Sequence, residues 1–495
     1  PPHASSAASD VYKRQALDAN TTANANTAIG YDAMSANTTG TQNTALGANA
    51  LEYVQTGNDN TGLGYVALMN AGGSQNTAIG SRALQDMTTG DDNTAVGYHA
   101  LHTNTTASDN TAVGSGALYL NTTGANNTAV GHNALDANTT GGSNTCIGRN
   151  SLGANTTGTA NAAVGLSALE SNTTASNNTA LGYFALLSNT TGTYNTAVGS
   201  LALDANTTSN ENTAVGYNAL TANTTGAYNT AVGADSLKGV TTGSYNHGFG
   251  RDAGQSITTG SGNVCLGNNA NDAADTSYVV SIGGFSASAN TVDGTTAVGY
   301  YALRNSSTGA GNHAFGYYAL DQVTTASYCT AVGYESGKNN TDSNHQTSIG
   351  YYALRLNQSS ESTAVGSYAL ASATGTYRST AVGASAGTAV SSGDYHVHIG
   401  WAAGYSTTTD HGTTFVGTES GYYNTTGSGG GYNTALGYRS QKGASGCSGY
   451  YNTSVGMDSL YSFSTGHRNT AIGMRSLYAL TTGIYNCAVG YEAGY

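Results

Sequence analysis

One arrangement of apolar and polar positions returns about every seventeen residues along almost the whole chain. Asn212–Tyr228 shows it as NTAVGYNALTANTTGAY. Counting slots from the first Asn, slot four is apolar in all 28 copies, from Ile29 through Val96, Leu181 and Phe249 to Val489. Slot nine is mostly Leu, as at Leu101, Leu220 and Leu370. Slot twelve is usually Asn (Asn104, Asn206, Asn223) but turns into Val54, Met87, Val240, Ile257, Val323, Val390, Phe463 or Leu480. A solvated position does not trade Asn for large hydrophobes, so slot twelve is predicted to point inward, its Asn side chains hydrogen-bonding up a stack. The Gly of slot five marks the period: 28 glycines and 27 gaps, of which 21 are 17 residues, four are 16, one is 20 and one is 19. Such regularity defines a repeat architecture.

The unit is too short for a pair of stable helices. "NTAV" is β-branched and alternating, which predicts a short strand. "NTTG" supplies turn chemistry, through residues that tolerate left-handed backbone angles and Thr hydroxyls that cap local amides. The fold class expected is all-β, a parallel β-solenoid or β-roll of about 28 coils of 17 residues. At about 4.8 Å per coil that is a rod on the order of 130 Å. If slot four faces in, alternation sends slot three out. Slot three is small almost throughout (Ala214, Ser348, Gly248, Cys265), with His398 and Phe415 as exceptions. An outward strip of small residues suits close approach of another backbone. The expectation is a homotrimer with three Ala strips facing a common axis.

Composition narrows the function classes. Gly is 69 of 495 residues, Pro 2, and 8% are charged, so the chain is polar without the charge that holds a disordered tail open. The net charge of −13 is thinly spread and forms no basic patch for nucleic acid. No stretch approaches the ~20 apolar residues of a membrane helix. Cys146, Cys265, Cys329, Cys447 and Cys487 form no CxxC pair, which argues against a zinc or disulfide framework.

The expected organisation has six parts. Residues 1–15 contain "SSAASDVYKRQ", similar to a translated sequencing-library adapter, and are set apart from the fold. Regular coils fill 16–270, degenerate coils 271–292 and regular coils 293–416. Residues 417–456 are coils with loop insertions ("GSGGGY", "QKGASGCSGYY"), and 457–495 are coils that stop in mid-repeat. The sequence is expected to be a fragment of a longer gene from environmental DNA.

"NTAVG" followed by "AL", over Ala16 to Tyr495, resembles the head repeats of trimeric autotransporter adhesins of the YadA type. The "NTALG…NTTG" arrays are also similar to those of tail-fibre-like proteins that end in a chaperone domain. The resemblance implies a left-handed parallel β-roll, three chains about one axis, and an attachment function at the cell surface or on a virion tail. The 17-residue coil is longer than the adhesin-head coil, with the extra residues around "NTTG".

Candidate chemistry is sparse. Tyr forms two columns, slot six (Tyr300, Tyr317, Tyr334, Tyr351) and the last slot (Tyr228, Tyr245, Tyr328), which read either as sugar-binding aromatic strips or as stacking that stiffens the rod. The "NTT" triplets match a glycosylation acceptor, but an inward slot twelve makes them a structural ladder. His396 and His398 share one strand face, placing a metal or anion near a three-fold axis within reach. The Gly-rich insertions of 417–456 are further loop candidates. No catalytic constellation stands out, so no enzyme activity, metal or other cofactor is expected. The expected function is an extracellular surface adhesin, binding itself and a surface glycan or host receptor, without nucleic acid or membrane insertion. The alternatives are a phage receptor-binding tail fibre, a structural filament and an ice-binding solenoid. Against the last, the Thr columns flank turns and lack a continuous outward Thr-x-Thr strand.

Overall fold

The structure, a computed structural model, describes residues 15–356, 358, 360–425 and 431–495. Of the insertion "GSGGGY" at 427–432, only Gly431 and Tyr432 lie among them. The chain divides into two compact units, 1–245 and 246–495. Each is a parallel β-solenoid. The first carries thirteen described strands, from Thr27–Ile29 to Thr230–Val232, and the second fifteen, from His247–Phe249 to Cys487–Val489. Among the described residues there is no α-helix.

Every strand is three residues long and is the "TAV" of its repeat. Within each unit successive strands pair in parallel and in register, so that Thr196, Ala197 and Val198 lie beside Thr213, Ala214 and Val215. The shorter coils keep this register: Cys265 pairs with Ser281, and Ser281 with Ala297. The rest of each coil stacks by backbone hydrogen bonds as well, as from Leu203 N to Ala219 O at 3.0 Å. Stacking in register repeats any outward or inward slot down a whole unit.

The inward slots are one, three, eight, nine, twelve and fifteen: Asn212, Ala214, Ala219, Leu220, Asn223 and Gly226 are all buried. Slots nine and twelve face the core as the sequence indicates. Slots three and four are the reverse of the expectation. Ala214 is fully buried, whereas Leu181 is 46% and Ile147 43% exposed. The Ala strip is therefore core, and no second backbone can approach along it. The cause is the width of the interior. A three-residue strand sends one side chain inward, and that side chain meets the Leu of slot nine. Even a Cβ built on Gly62, a slot-three residue, would lie 2.7 Å from Leu51 Cδ1. Where slot three is large, slot nine shrinks: Gly404 faces His398 and Gly421 faces Phe415, each with a Cβ position only 2.5 Å from the ring.

Two Asn ladders run through the core. In slot twelve each carboxamide donates to the Asn one coil earlier (Asn138 to Asn121 at 2.7 Å, Asn155 to Asn138 at 2.9 Å, Asn172 to Asn155 at 2.9 Å). It also donates to the carbonyl of slot fifteen in its own coil, as Asn155 does to Gly158 at 3.1 Å. In slot one, Asn127 Oδ1 accepts from the Asn144 backbone N–H at 3.0 Å, and Asn144 Nδ2 reaches Gly158 O at 2.9 Å. These bonds satisfy groups that would otherwise be costly in a dry interior. They also leave Asn104 through Asn223 of the "NTT" triplets buried, away from any glycosylating enzyme.

Left-handed angles do not fall at "NTTG". They recur at slots seven, nine and seventeen, as at Asn218 (φ 54°), Leu220 (φ 51°) and Tyr228 (φ 60°). Gly226 is required by proximity instead, since a Cβ there would lie 2.1 Å from Gly243 O in the next coil. The slot-thirteen Thr hydroxyls do not cap local amides; they bond the next coil, as Thr139 Oγ1 does to Thr156 O at 3.0 Å.

Candidate binding surface

With slot three inside, the outer face of each sheet displays slots two and four, and slot six follows beyond the Gly. Slot two is mostly Thr, and slot four supplies Val, Ile, Leu or Phe at every coil. The result is a column of apolar side chains on the solvent face, half-buried to exposed, with Thr on one side and, on the other, mostly Tyr or small residues, interrupted by Trp401, Met457 and the charged Arg149 and Arg251. Monomers rarely leave so continuous an apolar strip uncovered. Sequence reasoning missed this surface by assigning the larger hydrophobe to the core. The near-uniform small size of slot three was the available signal, since tight packing restricts size more than polarity.

The Tyr columns expected from sequence are both present and exposed. Tyr228 and Tyr245 stack at 4.9 Å with ring planes 3° apart. In the second unit Tyr300, Tyr317, Tyr334 and Tyr351 form a ladder with centroids 5.7, 5.1 and 5.4 Å apart. Tyr328 stacks on His345 at 5.2 Å. Stacking turns ring faces toward neighbouring rungs, so the columns offer mainly ring edges and hydroxyls outward. A sugar that needs a ring face finds one only where a column is interrupted. A third column, in slot seven, was not singled out from sequence: Tyr301, Tyr318, Tyr352 and Tyr368 lie against the slot-six ladder. Arg304, Lys338 and Arg355 each sit 4.5 Å from a ring of that column. The same cations bind Asp321 and Glu335 at 2.6–3.1 Å. Burial pushes the Glu335 carboxyl up, but the bonds from Arg355 and Lys338 outweigh it and hold the group below its usual range. Desolvation and the neighbouring Tyr317 push the Tyr318 hydroxyl up to about 12.

His396 and His398 do share one face, but it is the interior. Both are fully buried, and both approach Thr413 Oγ1, at 2.6 and 2.9 Å. Buried within a single coil stack, they cannot reach a symmetry axis between chains. Desolvation lowers the His396 imidazole to about 4, and burial takes His398 well below its ordinary value. Among the described residues, no three His, Cys, Asp or Glu side chains gather as a metal site.

Among the described residues of 417–456 the stack continues, Phe415 pairing with Ala435 and Ala435 with Ser454. Cys447 folds back into the core beside Phe463 and Tyr423, leaving 444–446 as an exposed tip. Cys146 and Cys265 fill the inward slot three, where burial raises their thiols, Cys265 to about 12. No family model matches the chain, and no curated protein matches it significantly.

Proposed function

We propose that the protein is a fibrous extracellular attachment protein, the shaft or head of a surface adhesin, assembled as a homotrimer. The observation that carries this reading is the continuous apolar slot-four column on the outer sheet face. In the first unit six slot-four side chains (Ile29, Leu46, Leu63, Ile79, Ile147 and Leu181) are 37–59% exposed and the other seven, all Val, are half-buried, so the thirteen coils leave on the order of 500 Å² outside before the flanking Thr and Tyr are added. A standard interface needs about 800 Å² per partner. Each unit therefore has the area to hold a second copy of the chain, and the sheet face takes the role expected of the Ala strip. The thinness of the core, with one Leu and two Ala per typical coil, favours the same conclusion. The test is the mass of the purified chain by sedimentation equilibrium, with and without Lys at several slot-four positions. A trimer that dissociates on substitution supports the assembly, and a monomer under both conditions overturns it. Binding of that trimer to a glycan array separates an adhesin from an inert filament.

A second reading, ice binding, gains from one observation. Slot-two Thr residues such as Thr94, Thr111 and Thr128 lie outward and in register on a sheet, each beside an outward slot-four residue. Thermal hysteresis of the purified chain would favour it over attachment, and its absence removes it.

A further inference from the structure

Slot ten lies beyond the buried Leu of slot nine and normally carries a side chain that covers the coil's outer shoulder. In three successive coils of the first unit it is Asp136, Gly153 and Glu170, and Gly153 is the one glycine at this slot in the sequence. The missing side chain opens a notch of about 630 Å³. Asn133, Asp136, Asn150, Glu170 and Leu187 line it around Gly153. Asn150 Nδ2 approaches Glu170 Oε1 at 3.4 Å, which sets carboxamide and carboxylate side by side on one wall. Asp136 on the other wall is half-buried, and desolvation raises its carboxyl against the pull of its own and the Ala137 backbone N–H groups.

We propose that this notch binds one neutral pyranose residue of a surface polysaccharide. The inference rests on the attachment reading above and names its ligand. Two carboxylates and two carboxamides supply acceptors and donors for several ring hydroxyls, while Leu187 and Ala154 offer an apolar contact for C–H groups. The volume falls in the range of small-ligand sites, about 300–1,000 Å³. Asp136 and Glu170 stand two coils apart, about 10 Å along the axis. Opposed ligands of a single calcium ion are only about 5 Å apart. The spacing therefore suits a sugar ring better than a bare cation.

Gly153 also provides the test. Its φ lies outside the left-handed region, and a Cβ there would sit 3.3 Å from Asn150 O and 3.4 Å from Asp136 Oδ1, at the floor of the notch. Gly153→Gln fills the notch with a side chain of the size other coils carry at slot ten. Glu170→Gln keeps the shape and removes one charge. The full chain and both variants are compared on a glycan array, with thermal melts as the control for folding. The expected result is at least a tenfold loss of one glycan class for Gly153→Gln and a smaller loss for Glu170→Gln, with melts unchanged. Undiminished glycan binding by both variants overturns the notch and leaves attachment standing. Absence of glycan binding by the unsubstituted chain overturns both. Should Gly153→Gln melt early, Glu170→Gln alone decides.

Discussion

Breaking the slot-twelve ladder at Asn155 should cost stability in a way that depends on its neighbours. Asn155→Val removes the acceptor of Asn172 Nδ2 and the donor to Asn138 Oδ1, at 2.9 Å each. Gly158 O keeps its second donor, Asn144 Nδ2 at 2.9 Å, so two groups lose their ladder partner rather than three. At about 1–3 kcal/mol per buried unsatisfied group, less about 1.5 kcal/mol or more from the buried Val, the net loss is about 1–4 kcal/mol. Asn155→Val with Asn172→Val still leaves two groups without partners, now Asn138 Oδ1 and Asn189 Nδ2, because the cost belongs to ladder ends rather than rungs. The adjacent pair should therefore be less destabilising than the sum of its singles by about 2 kcal/mol or more. Asn121→Val with Asn172→Val, three coils apart, should be additive to about 0.5 kcal/mol. Hydrogen exchange of the amides in these coils reads the local opening free energy without requiring a single global transition. Additivity of the adjacent pair would refute the ladder account.

Three further outcomes follow from the same core. His396 is held near pKa 4 when folded against 6.5 when free. Its contribution is then complete above about pH 6.5 and is lost as pH falls toward 4, amounting to about 3 kcal/mol. Asp394 opposes this shift and His411 adds to it, while His398 acts in the same direction. His396→Asn with His398→Ala should abolish that acid step in local hydrogen exchange between Val397 and Phe415. Phe415→Ala and Gly421→Leu should each destabilise by about 3 kcal/mol, through a cavity and a clash respectively. Together they recreate the usual Ala–Leu pair and should recover most of the loss, as chemical denaturation can show. A maleimide should label the exposed Cys487 rapidly and the buried Cys146, Cys265, Cys329 and Cys447 only on unfolding, as read by mass spectrometry.

The period, the parallel coil and the inward slot twelve were legible because each leaves a repeated mark. The Asn-to-Val exchanges at Val54 and Val240 showed that slot twelve lies out of water. The orientation of the strand was not legible from hydrophobicity. Val215 is more apolar than Ala214, yet the coil is too narrow to accept it opposite Leu220. Size carried that information: Gly421 paired with Phe415, and Gly404 with His398, are compensations visible only once the two slots are known to touch. The left-handed positions escaped for a similar reason. Leu220 at φ 51° has no local sequence signature, and its angle is set by the bonds to adjoining coils. Of the candidate surface, the Tyr columns were visible as a spacing, but their stacking and the slot-seven column depended on which way each ring leaned.

The claim on which the rest depends is that slot three points in and slot four out. It is tested most directly by comparing Ala214→Leu with Val215→Asn by hydrogen exchange of the coils around them, at a protein concentration low enough to keep chains apart. Ala214→Leu should destabilise these coils by about 1–3 kcal/mol through overpacking, and Val215→Asn, a half-buried position in a strand paired on both sides, should cost less, about 1 kcal/mol or below, through lost strand propensity. The opposite order, with Val215→Asn disruptive and Ala214→Leu tolerated, would contradict the account.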